Sequence, residues 1–431
     1  MTSTTTPEQL REVAHDAVRG GDHPRAATAF HALLDVAPGD TEALNFLAMA
    51  ALARGDTRSA RQLLQCALDA APQDSATRKN MGLTLLHQRA PEEAEQVLRA
   101  ALTDEPTLYP AQLYLGTALE QQSRTREAVA AYLRALTGAQ SSGIWLDDSN
   151  TPPALRPAVR HAISFVRDRF PAVLDALIEP LSARHGAAAV ARVRQCIAGY
   201  LGDRSIAPSR ADQRPTFLYF PGLPETPIFS RELLPWHEQL EAHTPRLQAE
   251  LQQVLAEDAP LVPFLGVPPP GEKSTYLGGS SERPQWDGLF FYRHGRRDPE
   301  ACRRAPNTVA ALDSTPIVRI PGHGPEALFS VLGPGSHILP HTGVTNTRVV
   351  THLPLLVPEG CTIRIADQRH DWREGRCVTF DDTFEHEAWN NSDRTRVVLL
   401  FDVWNPHLTE VEREAVTELV VAIGELKGDQ L

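Results

Sequence analysis

The sequence predicts a multidomain α + β protein, in which a solenoid of helical hairpins is followed by a β-rich domain of antiparallel sheets. Three observations lead to this prediction. The chain has 431 residues, which exceeds what one hydrophobic core usually organises. Its first third repeats with a fixed period, and its last half consists of short β-type runs separated by turn residues.

The first third of the chain carries a repeat with a period of 34 residues. Pro38, Pro72 and Pro106 are separated by this step, and other positions follow it as well. These further positions are Ala26, Ala60, Ala94 and Ala128, then Phe30, Leu64, Leu98 and Tyr132, and finally the small residues Ala14, Ala48, Gly82 and Gly116. Within each period, two apolar stretches at helical spacing flank a turn. Each period is therefore predicted to form a helical hairpin, with the small residues where paired helices touch.

This pattern resembles the tetratricopeptide repeat family, because several positions agree in every period. The resemblance covers about residues 7 to 140 and implies four repeats, which we assign to a first domain over residues 1–140. Arrays of this kind stack into a curved solenoid with a concave surface. The resemblance implies that a peptide or protein binds there, and the alternative is that the array only supports the neighbouring domain.

A helical spacer is predicted over residues 141–208, where the period is lost but the pattern remains helical. Its clearest segment runs from Ala187 to Tyr200, and a bend or loop is expected over residues 147–157, which contain three prolines. The last domain is predicted over residues 209–431. A helical insert from Leu233 to Ala256 is expected to pack on the outside of this domain.

The last domain is predicted to be β-rich, because short runs of β-type residues alternate with turn residues. Turn signals such as Pro334-Gly335 and the segment of residues 390–393 separate these runs. The runs are Thr216 to Phe220, Pro316 to Ile320, Leu328 to Leu332, Arg348 to Leu356, Cys361 to Ile365 and Arg396 to Val403. This spacing favours an antiparallel double-sheet barrel.

Composition argues against several classes of protein. The net charge of -12 makes nucleic acid an unsuitable principal partner, because phosphate binding requires a basic surface. Five cysteines occur without a CxxC pair, so neither a zinc ribbon nor a disulfide framework is indicated. The sequence has no apolar run of membrane-spanning length, and residues 1–10 lack the charged and apolar regions of a signal peptide. We therefore expect a cytoplasmic protein without a membrane partner.

Two histidines in the last domain, His341 and His386, are candidates for a metal site. Each lies beside a β-type run in a segment dense with turn residues. A metal that binds both an acid and oxygen needs few protein ligands and several open positions, and imidazole suits such a non-haem iron site. The turn at Asn391-Ser392 is expected to place Arg396 nearly opposite His386, where its guanidinium can bind the far end of a dicarboxylic acid. The alternative is that both histidines are hydrogen-bonded core or loop residues.

Four ordered motifs surround these residues, namely PHTGVTNTR, HLPLLVPEG, FDDTFEHEAWN and FDVWNP. Together they resemble the aspartyl/asparaginyl β-hydroxylase family over about residues 280 to 408, and a weaker similarity reaches the FPGLP segment of residues 220–224. The resemblance implies a dioxygenase that uses iron(II), 2-oxoglutarate and O2. It also implies a double-stranded β-helix of the jelly-roll or cupin type for this domain.

The resemblance also implies roles for individual residues. The residues are His341 and His386 for iron, Ser330, His352 and Arg396 for 2-oxoglutarate, and Tyr292 and Arg348 for the substrate. Ser330 and Arg396 would bind the distal carboxylate of 2-oxoglutarate, and His352 would help to hold its metal-bound end. Tyr292 comes from the FFYRHGRR segment. Strand alternation supports part of this assignment, since residues 348, 350 and 352 share one face.

Two positions bear on how the metal and the cosubstrate would be bound. Gly343 stands where the wider oxygenase class has a carboxylate ligand, two residues after the first histidine. The resembled family also has glycine there and leaves the coordination position to water. Val350 stands where that family commonly has a further arginine for the metal-proximal carboxylate of 2-oxoglutarate. This second difference is a departure from the family pattern.

Four acidic residues surround the second histidine in sequence. They are Asp381, Asp382, Glu385 and Glu387. One of them could supply a missing metal ligand. The favoured interpretation is that the aspartates form a turn and the glutamates orient neighbouring side chains.

By resemblance, the predicted reaction hydroxylates the β-carbon of an aspartyl or asparaginyl residue, while 2-oxoglutarate is decarboxylated to succinate. The repeat array would present the peptide. A second interpretation changes the acceptor to a free or carrier-bound amino acid, or to a ribosomal peptide that is being tailored. A third interpretation is an adaptor whose repeats bind a partner and whose barrel is degenerate, and Val350 is the feature that favours it.

Overall fold

The computed structural model describes residues 6–257, 260–264 and 275–428. The chain divides into two compact units, the first formed by Met1–Val173 and Glu425–Asp429 and the second by Leu174–Gly424 and Gln430–Leu431. The division between Val173 and Leu174 falls within the predicted spacer over residues 141–208. Among the helices of the described ranges, none combines the length and apolar character needed to cross a bilayer.

Four helical hairpins make up most of the first unit, which confirms the predicted repeat array. Their helices are α1 (Pro7–Arg19), α2 (His23–Val36), α3 (Thr41–Ala53), α4 (Thr57–Ala70), α5 (Ser75–His87), α6 (Pro91–Asp104), α7 (Tyr109–Gln121) and α8 (Thr125–Ser141). The carboxylates of Asp40 and Asp74 cap α3 and α5 by accepting a backbone hydrogen bond from the first turn. Pro38, Pro72 and Pro106 lie in the loops after α2, α4 and α6.

Small residues allow the paired helices of the array to approach closely. A Cβ atom added at Gly82 would lie 2.5 Å from Cγ of Leu98, and one added at Gly116 would lie 2.4 Å from the ring of Tyr132. The repeated alanines at positions 26, 60, 94 and 128 are fully buried. The prediction that these positions mark helix contacts is therefore confirmed.

The remaining helices and all of the strands follow the repeat array in the chain. The helices are α9 (Arg156–His185), α10 (Ala191–Tyr200), α11 (Trp236–Glu241), α12 (Thr244–Ala256), α13 (Pro299–Arg304), α14 (Pro306–Asp313) and α15 (Glu410–Lys427). The strands are β1 (Val262–Pro263), β2 (Leu277–Gly279), β3 (Trp286–Arg293), β4 (Arg296–Arg297), β5 (Ala327–Leu332), β6 (Ser336–His341), β7 (Arg348–Leu356), β8 (Cys361–Ile365), β9 (Gln368–Asp371), β10 (Val378–Phe380), β11 (His386–Asn390) and β12 (Arg396–Trp404). The predicted insert is helical, as α11 and α12.

The strands of the second unit form two antiparallel sheets. The larger, 7-stranded sheet has the order β1-β3-β5-β12-β7-β10, with β4 paired to β3, and the 5-stranded sheet has the order β2-β6-β11-β8-β9. Two of the predicted strands, over residues 216–220 and 316–320, are only isolated bridges, from Leu218 to Thr345 and from Ile317 to Val403. Prolines lie at the ends of both segments and remove backbone donors that a longer ladder would need.

The larger sheet is buried on both faces. One face packs against α12, α13 and α14 in a core that includes Phe329 and Leu399. The other face contributes Leu328 and Val398 to a second core, which also contains Ile363 of the smaller sheet. Successive residues of β5 and β12 therefore alternate between the two cores. The candidate site lies on the side of the larger sheet that faces the second core.

Candidate active site

Two histidines meet on neighbouring strands of the smaller sheet. His341 ends β6, His386 begins β11, and the two residues are direct partners across this antiparallel pair. Their ring centroids lie 4.1 Å apart. Both residues line a cavity of about 370 Å³, which we call the inner cavity. The structure therefore brings together the two residues that the resemblance implies as iron ligands.

Each of these imidazoles is anchored through its Nδ1 atom. Nδ1 of His341 lies 2.9 Å from the carbonyl oxygen of Leu339, and Nδ1 of His386 lies 3.0 Å from that of Phe384. A carbonyl oxygen only accepts hydrogen bonds, so Nδ1 carries the proton and Nε2 keeps its lone pair. Burial lowers the pKa of His341, and burial together with the nearby His341 charge lowers the pKa of His386 to about 3. Both rings are therefore neutral at pH 7.

This pair of neutral imidazoles fits a divalent metal such as iron(II), because each offers an Nε2 lone pair and has its ring orientation fixed by a carbonyl. Over residues 6–257, 260–264 and 275–428, no cluster of three or more His, Cys, Asp or Glu side chains is arranged to hold a metal ion. The two imidazoles at the inner cavity are the donors that the resemblance implies for iron(II).

Arg396 brings a positive charge to the same cavity. It is 1% exposed, its guanidinium lies 4.7 Å from the ring centroid of Trp372, and Nη1 donates to the carbonyl oxygen of Ser330 at 3.4 Å. Its Nε has no hydrogen-bond partner among the described residues, and burial lowers the pKa of Arg396 to about 10. A buried guanidinium without a carboxylate partner fits an anionic ligand, such as one end of 2-oxoglutarate.

Ser330 and His352 line the inner cavity together with Arg396. Oγ of Ser330 accepts a hydrogen bond from Nε1 of Trp286 at 3.0 Å, which leaves its own hydroxyl proton to donate. His352 is buried, and its Nδ1 has no partner in the described part of the chain. Burial and the charge of Arg396 hold the pKa of His352 well below its usual range. The residues implied for 2-oxoglutarate therefore surround one cavity.

The connection between His386 and Arg396 differs from the predicted hairpin. The chain after Asn390 crosses from the smaller sheet to the larger one, where Arg396 pairs with Leu332 of β5. The prediction that Arg396 lies across a turn from His386 is therefore wrong. The two side chains line the inner cavity from different sheets. A short turn often joins neighbouring strands of one sheet, but a turn of this length also permits the chain to cross from one sheet to the other.

Asp382 lines the inner cavity, whereas the favoured expectation placed it in a turn, with a metal-ligand role as the alternative. Its carboxylate occupies the space beside Gly343, since a Cβ atom added there would lie 2.0 Å from Oδ2 of Asp382. Oδ1 of Asp382 has no hydrogen-bond partner among the described residues. Burial and the charge of Asp381 hold the pKa of Asp382 well above its ordinary range. Gly343 was the sequence signal for this arrangement, because a glycine leaves space for the side chain of another residue.

Replacing Gly343 with alanine is expected to destabilise the protein by about 1–3 kcal/mol, because the new methyl group must displace the Asp382 carboxylate. The cost should be smaller when Asp382 is already alanine. Urea unfolding of the two single variants and the Gly343→Ala, Asp382→Ala double variant measures this coupling. Equal costs of Gly343→Ala in both backgrounds would show that the two positions are not coupled.

The other acidic residues near His386 act on their neighbours, as predicted. Asp381 accepts hydrogen bonds from the backbone N–H and the hydroxyl of Thr383, at 3.0 Å and 2.6 Å. Glu385 and Glu387 both pair with Arg364, at 3.0 Å and 2.6 Å. These contacts support the interpretation that the three residues orient the strand ends around the site.

Arg348, Val350 and His352 share one face of β7 and line the inner cavity, as strand alternation predicted. The guanidinium of Arg348 is already engaged, because Nη1 lies 3.0 Å from a carboxylate oxygen of Asp402 and donates to the carbonyl oxygen of His323 at 3.1 Å. The implied substrate residue Arg348 is thus at the cavity, but its charge is partly matched inside the protein.

Tyr292 lies away from the site. It belongs to the core on the helix-covered face of the larger sheet, where Arg319 lies 5.6 Å from its ring centroid. The pairing of β3 with β5 shifts register between Phe290 and Tyr292, so simple alternation fails at this point. The implied role of Tyr292 in facing the substrate is therefore not supported. Phe290, which the sequence analysis did not single out, lines a second cavity next to the site.

This second cavity, which we call the outer cavity, also has a volume of about 370 Å³. Of the residues that the structure describes, four line both cavities, namely Phe264, Glu326, Val344 and Arg348. Aromatic and aliphatic side chains, including Phe217 and Ile320, form much of the remaining wall. The outer cavity therefore offers an acceptor a largely apolar space beside the inner cavity.

Burial and the neighbouring charge of Asp402 raise the pKa of Glu326 to about 7 from its ordinary value of 4.5. The native protein therefore keeps this proton to higher pH than the unfolded chain, and stability falls as pH rises from about 4.5 to about 7. The charged and titratable groups around Glu326 are Arg293, His294, His323, Arg348 and Asp402.

Replacing Glu326 with glutamine is expected to remove this loss of stability. Between pH 5 and pH 8, the free energy of unfolding of the variant should rise relative to that of the wild type by on the order of 2 kcal/mol. Chemical unfolding of both proteins across this range measures the difference. Parallel stability curves would show that Glu326 does not titrate in this range.

Comparison with known proteins agrees with this geometry. Residues 241–406 match the family model described as Aspartyl/Asparaginyl beta-hydroxylase. This stretch holds both histidines and every side chain that lines the inner cavity. The second unit thus contains a hydroxylase-family domain. The resemblance predicted from the motifs is confirmed.

Curated relatives of the hydroxylase-family domain act on different molecules, as their names state. The aspartyl/asparaginyl beta-hydroxylase of Homo sapiens is 39% identical over 136 residues, which are 31% of this chain and 18% of that protein. The ornithine lipid ester-linked acyl 2-hydroxylase of Rhizobium tropici is 34% identical over 192 residues, which are 44% of this chain and 64% of that protein. The chain thus spans less than two thirds of either relative.

The repeat array also matches a family model. The tetratricopeptide repeat model covers residues 13–75, 47–110 and 79–143 in overlapping matches. Among solved structures, a crystal structure of MamA is similar over 32% of this chain and 81% of that chain, with 18% sequence identity and a TM-score of 0.30. The prediction of tetratricopeptide repeats is confirmed by the family match.

Proposed function

We propose that this protein is an iron(II)- and 2-oxoglutarate-dependent dioxygenase that hydroxylates an aspartyl or asparaginyl residue of a peptide or protein. The observation that carries the proposal is Arg396, a buried guanidinium that has no carboxylate partner among the described residues and shares a cavity with two Nδ1-anchored histidines. A dicarboxylic cosubstrate needs a cation at one end and a metal at the other. The match to a hydroxylase family supports the same conclusion.

When bound, iron(II) with 2-oxoglutarate and O2 would supply the transfer of one oxygen atom into a C–H bond of the acceptor, with the second oxygen atom entering succinate and CO2 leaving. The protein's own part is positioning. Nε2 atoms of His341 and His386 would hold the metal, and the Arg396 guanidinium and Ser330 hydroxyl would bind the distal carboxylate. Trp286 fixes the Ser330 hydroxyl and closes the wall of the inner cavity.

Asp382 would act on the metal site without being a ligand. Its carboxylate lies beside Gly343, in the space where the wider oxygenase class has a ligand side chain, and Oδ1 has no hydrogen-bond partner among the described residues. A carboxyl group in this position can accept a hydrogen bond from water at the open side of the metal. The role proposed for Asp382 is therefore to orient water there.

The repeat array supports a peptide or protein as the carrier of the acceptor residue. The experiment that tests the whole proposal combines the purified chain with iron(II), 2-oxoglutarate, O2 and candidate peptides. Succinate formation and a gain of one oxygen atom in the peptide are expected together. An adaptor with a degenerate barrel would bind neither iron(II) nor 2-oxoglutarate in calorimetry, and that result would contradict the proposal.

A second candidate function is hydroxylation of an acyl chain, and the outer cavity is the observation that favours it. Phe217, Phe264, Phe290 and Ile320 give this cavity an apolar wall next to the proposed metal site. The relative from Rhizobium tropici is named as an acyl hydroxylase and is covered over more of its length than the human relative. Turnover of an acylated amino acid but not of any peptide would favour this candidate over the first.

A further inference from the structure

We propose that Glu326 determines which acceptor the site takes, by favouring an amide and rejecting a carboxylate. This inference rests on the proposed hydroxylase function and narrows its acceptor to the asparaginyl type. Glu326 stands at the junction of the two cavities, since it lines both of them. An acceptor that enters the inner cavity from the outer one must therefore pass its side chain.

Within the described part of the chain, hydrogen bonds reach only one oxygen of the Glu326 carboxyl group. Oε1 accepts a hydrogen bond from the backbone N–H of His294 at 2.7 Å, and Nδ1 of the same histidine lies 3.0 Å from it. Among the described residues, Oε2 has no hydrogen-bond partner. When Glu326 is ionised, above its pKa of about 7, this second oxygen can only accept hydrogen bonds, so it suits the N–H₂ group of an amide side chain.

The cations near Glu326 already have partners within the protein. Arg348 contacts Asp402 and the carbonyl oxygen of His323 through Nη1. The guanidinium of Arg293 lies 4.5 Å from the ring centroid of Phe290 and donates to the carbonyl oxygen of Phe264 at 3.2 Å. Above pH 7, where Glu326 is ionised, a carboxylate at the junction would meet the carboxylates of Glu326 and Asp402 beside cations that are already engaged, and like charges at close range disfavour binding.

The backbone holds Glu326 firmly in this position. Its own N–H donates to a carboxylate oxygen of Asp402 at 2.9 Å. The turn that supplies the His294 contact has φ of 50° at His294 and 72° at Gly295. A Cβ atom at Gly295 would lie 2.7 Å from the carbonyl oxygens of both Ile320 and Gly324, so the turn is packed directly on backbone. This packing fixes the geometry before an acceptor arrives.

The test uses two peptides that are identical except for asparagine or aspartate at the acceptor position. Binding to the full chain with iron(II) and 2-oxoglutarate is measured without oxygen at about pH 8.5, where Glu326 with its pKa of about 7 is ionised, and turnover is measured with oxygen at the same pH. We expect the asparaginyl peptide to bind at least about 10-fold more tightly than the aspartyl peptide. The Glu326→Gln variant should reduce this ratio to about one or reverse it, because glutamine keeps the shape and removes the negative charge.

The Glu359→Gln variant is the matched control, since Glu359 is exposed and does not line either cavity. It should keep the wild-type ratio. A wild-type preference for the aspartyl peptide, an unchanged ratio in Glu326→Gln, or the absence of binding to both peptides would each overturn the inference.

Failure of this inference can be separated from failure of the proposed function. Succinate formation from 2-oxoglutarate is followed without any acceptor, in the wild type and in Glu326→Gln. If succinate forms but the acceptor ratio does not respond to Glu326, only the inference about Glu326 is wrong. If the chain binds neither iron(II) nor 2-oxoglutarate, the proposed function itself is wrong.

Discussion

Replacement of both His341 and His386 by alanine is expected to abolish iron(II) binding and to lower coupled hydroxylation by more than about 100-fold. Both imidazoles are oriented by a carbonyl at Nδ1, so the variant removes two preorganised donors at once. Calorimetry with iron(II) in the absence of oxygen measures the metal, and succinate formation measures the reaction. Iron(II) binding and succinate formation should both be lost in this variant.

The control for this experiment replaces two exposed histidines, His31 and His185, with alanine. These positions lie outside the residues that line either cavity, and metal affinity should be unchanged. Circular dichroism shows whether both double variants keep their fold. Stoichiometric metal binding or full turnover by a folded His341→Ala, His386→Ala variant would exclude the proposed metal site.

The second large effect is expected at Arg396, where replacement with methionine should weaken 2-oxoglutarate binding by at least about 100-fold, or about 3 kcal/mol. The same variant should be at least as stable as the wild type when no ligand is present. The reason is that a buried guanidinium without a carboxylate partner is costly in the folded state. A gain in thermal midpoint on adding 2-oxoglutarate should be seen in the wild type and lost in Arg396→Met.

Arg394→Gln is the matched control, because Arg394 is two residues away and exposed. It should keep the stabilisation by 2-oxoglutarate. A strongly destabilised Arg396→Met variant without ligand would show that the guanidinium has a structural role in place of the binding role proposed here. Unchanged 2-oxoglutarate affinity in that variant would contradict the assignment of the distal carboxylate to Arg396.

The repeat array could be predicted from the sequence because its period places the same small and large residues in every hairpin. Gly82 with Leu98 and Gly116 with Tyr132 are contacts between sequence neighbours in the array, so a one-dimensional pattern contains them. The strands were harder to predict. Short segments such as residues 316–320 have strand-like composition but lack the donors for a ladder, and composition alone does not show this.

The cavity residues were predictable where a motif or an alternation carried them, and not where the backbone departs from a regular pattern. His341, His386 and His352 line the inner cavity as the motifs implied. Tyr292 does not, because a register shift in β3 turns it to the other face. Glu326 was not singled out, because its position depends on the contact between distant segments at residues 294 and 402.

Because the chain crosses between the sheets after Asn390, the proposed cosubstrate would contact both sheets at once. One of its ends would be held by β6 and β11 of the smaller sheet and the other by β5 and β12 of the larger sheet. Because 2-oxoglutarate has rotatable bonds, it would have to adopt the conformation that reaches from the histidines to Arg396, and in that conformation it would connect the two sheets.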